Sequence, residues 1–320
     1  MIVFCSNSTG WDAESDCLVP GGQVDRLIAT VVEHLPEGSY QVTRQPVARA
    51  INVYLSTRDR YCHGSQELDR WGVLYAHGIA DKGYRLGAAS NPRRHFDFIT
   101  VPGPGHEHGL LDANYPSGRI IEIGYPKLDP LYGMDRVPRE PGGPVRVLYA
   151  PTHGGGSERY TEGNPKAPGA KATSWWHREE ILALLDADDL EVTLAPHPRH
   201  HPERRATFEQ YLSADVVVAD GGSTIYEALA LGIPVVMPDW LTAHRNLTRQ
   251  GGALLEARVY GEPIGYHADE PGELADLVRK AAAEGMSAAD VDFIDEVLPP
   301  KWRGCSGKVF AEFLLSLEEL

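Results

Sequence analysis

The chain has 320 residues, too many for one small module and about right for two domains of ordinary size. Hydrophobic residues make up 42% and charged residues 23%, a balance that excludes a disordered or fibrous chain. With 30 Lys plus Arg against 45 Asp plus Glu, the net charge of −15 disfavours a surface that wraps phosphate backbones, and so disfavours DNA as an acceptor.

The four cysteines, Cys5, Cys17, Cys62 and Cys305, form no CxxC pair. That argues against a disulfide framework or a cysteine-based zinc module and for free thiols in a reducing compartment. No apolar run reaches the roughly 18 residues of a spanning helix. The opening MIVFCSNSTG turns polar after five residues and reads as a first buried strand, not a signal peptide. The expected location is cytoplasmic, with no integral membrane segment.

Taken in chain order, Met1–Cys5 is a predicted strand, and Val24, Leu27, Ile28, Val31, Val32 and Leu35 fall at helical spacing. Short apolar runs follow at Ile51–Leu55, Val73–Ala76, Phe98–Val101 and Ile120–Ile123, each closed by Gly, Pro or a polar turn. Pro138–Pro144 (PREPGGP) breaks both helix and strand and reads as a linker. A second series then runs through strand VRVLYA from Val145, helix Arg178–Leu185, strands Leu190–Leu194 and Val216–Ala219, helix Thr224–Leu231 and strand Pro234–Met237. Gly154–Ser174 has no apolar period and reads as a loop. Val309, Phe313, Leu314 and Leu317 give a last amphipathic helix, able to cross back onto the first domain. Alternating strands and helices imply two parallel α/β domains facing a cleft, at 1–140 and 145–300, with a crossover helix at 301–320.

Three groups of residues carry candidate chemistry. In ADVVVADGGSTIYEALALGIPVVMPD an apolar strand feeds Asp220-Gly221-Gly222-Ser223-Thr224 and then a helix. Glycines admit close backbone approach, and the free N–H groups of a helix start favour an anion, so this loop is the predicted site of a donor's phosphates. Ser223 and Thr224 offer hydroxyls, and Glu227, one turn on, offers a carboxylate for ribose. Thr224 and Glu227 also spell a capping box, which needs no ligand. The second group is histidine-rich. His77-Gly78 in YAHGIADK and His197 with Arg199 in APHPRHHP each follow a strand. His77 has the pKa range of a general base, while His197 and Arg199 are suited to a phosphate. Adjacent His200 and His201 lack the spacing of zinc ligands, so no metal site is expected. The third group is GYPKLD at Gly124–Asp129 and YAPTH at Tyr149–His153, each again after a strand. Gly78, Lys82, Thr152, Arg199 and Asp220–Thr224 with Glu227 form the expected donor-binding set.

The ordered series HGIADK, FDFITVPGPGHEHGLL, GRIIEIGYPKLD, VLYAPTH, LAPHPR and ADVVVADGGSTIYEALALGIPVV resembles the CDP-glycerol glycerophosphotransferase family of teichoic-acid polymerase type, over roughly residues 70–240. The resemblance implies a GT-B fold of two Rossmann-like domains. It also implies transfer of glycerol phosphate from CDP-glycerol to an acceptor hydroxyl, with loss of CMP and no further cofactor. It places His77 as base, His197 near the donor phosphates, Ser223 and Thr224 at the pyrophosphate and Glu227, where the family usually has Asp, at the ribose. The DGGST loop and EALALGIPVV tail look as much like nucleotide-sugar glycosyltransferases, including those that modify a DNA base, and UDP-sugar 2-epimerases. Glycosyl transfer, epimerisation and non-catalytic nucleotide-sugar binding therefore stand as alternatives, and the acceptor stays unidentified.

Overall fold

The computed structural model describes residues 1–6, 11–12, 17–18, 23–56, 69–75, 78–80, 95–112, 114–152, 173–197, 208–242 and 255–320. The chain divides into two units. The first comprises Met1–Ile79, Gly83–Gly133 and Glu296–Leu320, and the second Ala80–Lys82 and Met134–Asp295. The change of unit thus falls before the Pro138–Pro144 segment, and the C-terminal stretch returns to the first unit.

Six parallel strands build the first unit: β1 (Ile2–Cys5), β2 (Tyr40–Thr43), β3 (Ile51–Tyr54), β4 (Trp71–Leu74), β5 (Phe98–Val101) and β6 (Ile120–Glu122), in the order β2-β1-β3-β4-β5-β6. Strands β1 and β3 are buried throughout, as continuous apolar runs demand when both faces are covered. Helix α1 (Gln23–Val32) connects β1 to β2, and α2 (Pro104–Asp112) lies between β5 and β6.

The GYPKLD motif turns out to be the anchor of the last helix of this unit. Ser306 Oγ accepts the Tyr125 N–H at 2.9 Å, and Asp129 Oδ2 accepts the Gly307 N–H at 2.7 Å, filling an orphan donor of the helix start. Gly307 lets that helix approach α1 closely, because a β-carbon there would stand 2.1 Å from the Thr30 carbonyl oxygen. Along the helix, the Phe310 ring lies 4.7 Å from Tyr75, and Phe313 lies 5.3 Å from Phe98.

The second unit repeats the winding with five parallel strands: β7 (Val145–Tyr149), β8 (Leu190–Leu194), β9 (Val216–Val218), β10 (Val235–Pro238) and β11 (Tyr266–Ala268), ordered β8-β7-β9-β10-β11. Helices α3 (Arg178–Leu184), α4 (Ser223–Ala230), α5 (Leu255–Gly261), α6 (Leu274–Glu284) and α7 (Ala288–Val297) flank it, and α8 (Ser306–Glu319) is the returning helix of the first unit. One core layer joins Val147, Tyr149, Val216, Val218 and Val236 to Ile181 of α3 and to Leu274, Val278 and Ala281 of α6. Because β7 is the first strand and its neighbours lead away in opposite directions, the winding reverses between β7 and β9. In open α/β sheets such a switch point opens a crevice beyond the carboxyl ends of the strands.

Together the two sheets and their helices form an α/β, GT-B-like fold. Among the described residues no helix is long and apolar enough to cross a membrane.

Candidate functional site

The candidate site lies at the switch point of the second unit. Strand β7 ends in Ala150-Pro151-Thr152, and β9 ends in Ala219 before Asp220-Gly221-Gly222. Asp220 is fully buried and draws the two ends together. Its Oδ1 accepts the Thr152 N–H at 2.7 Å. Its Oδ2 accepts the Thr173 hydroxyl at 2.6 Å and the Ser174 N–H. Thr173 Oγ1 also lies 2.9 Å from the Thr152 carbonyl, so the chain leaves at 152 and returns at 173 to the same clasp. The Asp220 carbonyl in turn accepts the Tyr260 hydroxyl of α5 at 2.8 Å. Buried charge is costly unless hydrogen-bonded, and these donors meet that cost.

Gly221 and Gly222 make the turn. Their φ values are 137° and 80°, and Gly222 has ψ −166°, a region open essentially to glycine alone. Gly222 is the residue before α4, so no side chain caps this helix. The capping box anticipated at Thr224 does not form. Ser223 and Thr224 already sit inside the first turn, and Glu227 is engaged elsewhere. Helix α4 ends as a Schellman motif, with Ile233 N–H on the Ala228 carbonyl, Gly232 N–H on that of Leu229, and Gly232 at φ 74°. Fixed at both ends, α4 aims its N-terminal N–H groups and partial positive charge at the crevice.

Beneath the first turn lies a buried polar cluster. Tyr211, 1% exposed on the short turn Glu209–Ser213, donates to Glu227 Oε2 at 3.0 Å. Burial, reinforced by the Glu227 charge, pushes the Tyr211 phenol well above its ordinary pKa. Glu227 is 2% exposed. On the far side, the buried carboxylate of Glu256 accepts the Gly222 N–H at 3.2 Å. Further along the sheet edge, His267 of β11 is held through both ring nitrogens, by Asp239 Oδ2 at 2.7 Å and the Ile264 carbonyl at 2.9 Å.

Of the residues singled out from sequence, the fold gathers Thr152, Asp220, Gly221, Gly222, Ser223, Thr224 and Glu227 around this crevice. His197 follows β8, the neighbour of β7, two residues beyond Ala195, whose N–H bonds the Tyr149 carbonyl at 2.8 Å. Gly78 follows β4 in the first unit, next to Ile79, whose carbonyl meets His106 Nε2 at 2.7 Å. His77, Lys82 and Arg199 lie outside the described residues, as does most of the Gly154–Ser174 loop. Sequence reasoning missed Thr173, Ser174, Tyr211, Glu256 and Tyr260. The one local signal among them is the Thr-Ser pair that closes the long loop. Among the described residues no three His, Cys, Asp or Glu side chains stand together as a metal site.

No protein-family model and no curated relative matches the sequence. Solved structures do. The chain is similar to the wall teichoic acid polymerase TagF at 14% identity and a TM-score of 0.59, over 99% of this chain and 89% of that one. A variant of TagF soaked with CDPG overlays with a TM-score of 0.62 at the same identity, over 99% and 88%. At this identity the likeness is one of fold, and the fold the chain shares is that of GT-B enzymes.

Proposed function

We propose that this protein is a transferase that takes a nucleoside-diphosphate-linked donor, with the diphosphate bound at Gly221, Gly222, Ser223, Thr224 and the start of α4, and moves the linked group to an acceptor hydroxyl. The observation that carries this reading is the placement of a glycine turn and helix N-terminus at the switch point, locked by Asp220. That geometry offers N–H donors to an anion without rearrangement. The group favoured is glycerophosphate from CDP-glycerol, supported by the ordered motifs and by the fold shared with TagF over almost the whole chain.

In that reaction an acceptor oxygen forms a bond to the β-phosphorus as the bond from that phosphorus to the CMP oxygen breaks. CMP leaves with the electron pair. His77 is the proposed acceptor of the hydroxyl proton. His197 and Arg199 are proposed to meet charge on the departing phosphate, together with the α4 N–H groups. Thr152 and Asp220 enter as donor-site residues, Asp220 by holding the loop in shape. Gly78 and Lys82 are proposed beside His77.

A thermal-shift panel of CMP, CDP, UDP, GDP and CDP-glycerol tests the reading. A ligand at a hundred times its Kd adds about 2.7 kcal/mol of stability, readily detected. Selective stabilisation by cytidine nucleotides, with CMP released from CDP-glycerol on addition of acceptor, is the expected result. Preference for UDP or GDP would replace glycerophosphoryl by glycosyl transfer, or by epimerisation if an epimerised sugar appears with free UDP. No stabilisation by any nucleotide would remove the donor site. Turnover unchanged in His77→Ala would remove the base assignment.

A further inference from the structure

We propose that Glu256 determines specificity at the donor site: its buried carboxylate limits the phosphate charge that the turn before α4 accepts, so that an esterified diphosphate is taken in preference to a free nucleoside diphosphate. The proposal rests on the donor-site reading above and deepens it by naming the charge class of the ligand.

The start of a helix leaves four N–H groups without intrahelical partners, here those of Gly222, Ser223, Thr224 and Ile225. The first of them is met inside the protein. Gly222 N–H donates to Glu256 Oε1 at 3.2 Å, and Glu256 is 2% exposed. A carboxylate therefore already stands where the partial positive charge of α4 would draw an anion. The fold holds it there. Glu256 is the second residue of α5, and Tyr260, one turn on along the same face, donates to the Asp220 carbonyl at 2.8 Å. Two bonds thus fasten α5 to the two ends of the Asp220–Gly222 turn. Asp220 gives its own carboxylate to the segments at 152 and 173–174, and Glu227 accepts from Tyr211, whereas the Glu256 bond falls on the helix start itself.

Charge then decides which diphosphate fits. An esterified diphosphate carries one charge on each phosphate. A free nucleoside diphosphate gains most of a further charge at neutral pH, because the second ionisation of a terminal phosphate lies at about pH 6. N–H groups alone would favour the more charged ligand. A carboxylate fixed one hydrogen bond away from the turn opposes it, and repulsion between unit charges at such range is worth about tenfold in affinity or more near a protein surface. In the proposed transfer the donor is thereby selected over free nucleotide, and CMP, whose phosphate gains a charge when its ester bond breaks, is released.

The test compares wild type and Glu256→Gln by calorimetry at about pH 8, where a terminal phosphate is fully ionised. The ligands are CDP, UDP and GDP, each beside its β-methyl ester, which differs by one methyl group and one charge. Glutamine keeps the shape and an oxygen to accept the Gly222 N–H, so the variant removes charge and leaves the turn in place. For the preferred base, the affinity of the free diphosphate relative to its methyl ester should rise about tenfold in the variant. An unchanged ratio would overturn the proposal, whether both ligands gain alike, neither gains, or both are lost together as a merely structural role requires. If Glu256→Gln fails to fold, wild type decides by itself. It should bind the methyl ester at least as tightly as the free diphosphate, and the reverse order would overturn the proposal. Absence of any nucleotide binding to wild type would remove the donor-site reading itself, whereas binding without the predicted ratio removes only the selection by charge.

Discussion

The N–H of Thr152 and the carboxylate of Asp220 stand 2.7 Å apart, joining the ends of β7 and β9 at the point where the sheet reverses its winding. One acidic side chain thereby holds three segments of chain, at 152, 173–174 and 220, in register with the glycine turn above it.

Asp220→Asn should be severe for that reason. An amide offers one oxygen and one N–H₂ group, and both carboxylate oxygens now face donors. Either orientation of the amide sets a donor against a donor inside the core. The expected cost is about 2–3 kcal/mol, read as a lower urea midpoint with unchanged m-value. Nucleotide affinity should fall with it. An unchanged midpoint would mean that the clasp does not hold the loop.

Gly222→Ala separates backbone strain from crowding. A β-carbon at Gly222 would meet only Thr152 Oγ1, at 3.6 Å, an ordinary contact. The penalty is therefore conformational, about 1–3 kcal/mol for a non-glycine residue at φ 80° and ψ −166°. If the loop relieves that strain by moving, nucleotide binding should weaken more than thermal stability does. Equal Tm and equal affinity in the variant would contradict the strained turn.

Which parts of this site were legible in the sequence follows from how far apart its partners lie along the chain. Strands β9 and β10 announce themselves as continuous apolar runs because both faces are covered. The half-buried edge strands Tyr40–Thr43 and Tyr266–Ala268 carry mixed residues and were not anticipated. The DGGST turn is local chemistry and could be read directly. The Thr224–Glu227 pattern was legible but ambiguous, since Gly222 takes the position before the helix and Glu227 bonds Tyr211. Asp220's partners at 152, 173, 174 and 260 come from segments that only the fold assembles. Nothing local marks Tyr211 or Glu256 as neighbours of the loop.

His267 supplies a pH dependence. Both its ring nitrogens face acceptors, Asp239 Oδ2 and the Ile264 carbonyl, and only imidazolium donates from both. Burial opposes the charge, but the Asp239 bond and charge, the Ile264 carbonyl and Asp269 outweigh it and raise the pKa. A raised folded pKa gives stability that is complete below the unfolded value, about 6.5, and is lost as pH rises through the folded value. Wild type should therefore lose Tm relative to His267→Gln between pH 6 and 9. Parallel curves would show that protonation of His267 contributes nothing.

The opposite sign is expected at Asp215, which ties the start of β7 to the residue before β9. Arg146 reaches it through its backbone N–H at 2.9 Å, Nε at 3.1 Å and Nη2 at 2.7 Å, and both side chains are less than one-fifth exposed. Burial pushes the carboxyl up, yet the Arg146 bonds and charge, helped by Arg139, hold it below its ordinary range. A depressed folded pKa gives stability that is present above the unfolded value, about 3.9, and lost as pH falls through the folded one. Asp215→Asn should cost about 2 kcal/mol at neutral pH, because it leaves a partly buried guanidinium without its counter-charge. The difference from wild type should begin to close below about pH 4, as the wild-type carboxyl takes up its proton. Urea midpoints of both proteins, measured from neutral to acid pH, check this directly. A gap that stays constant across that range would assign the loss to packing at the foot of the sheet, not to the ion pair.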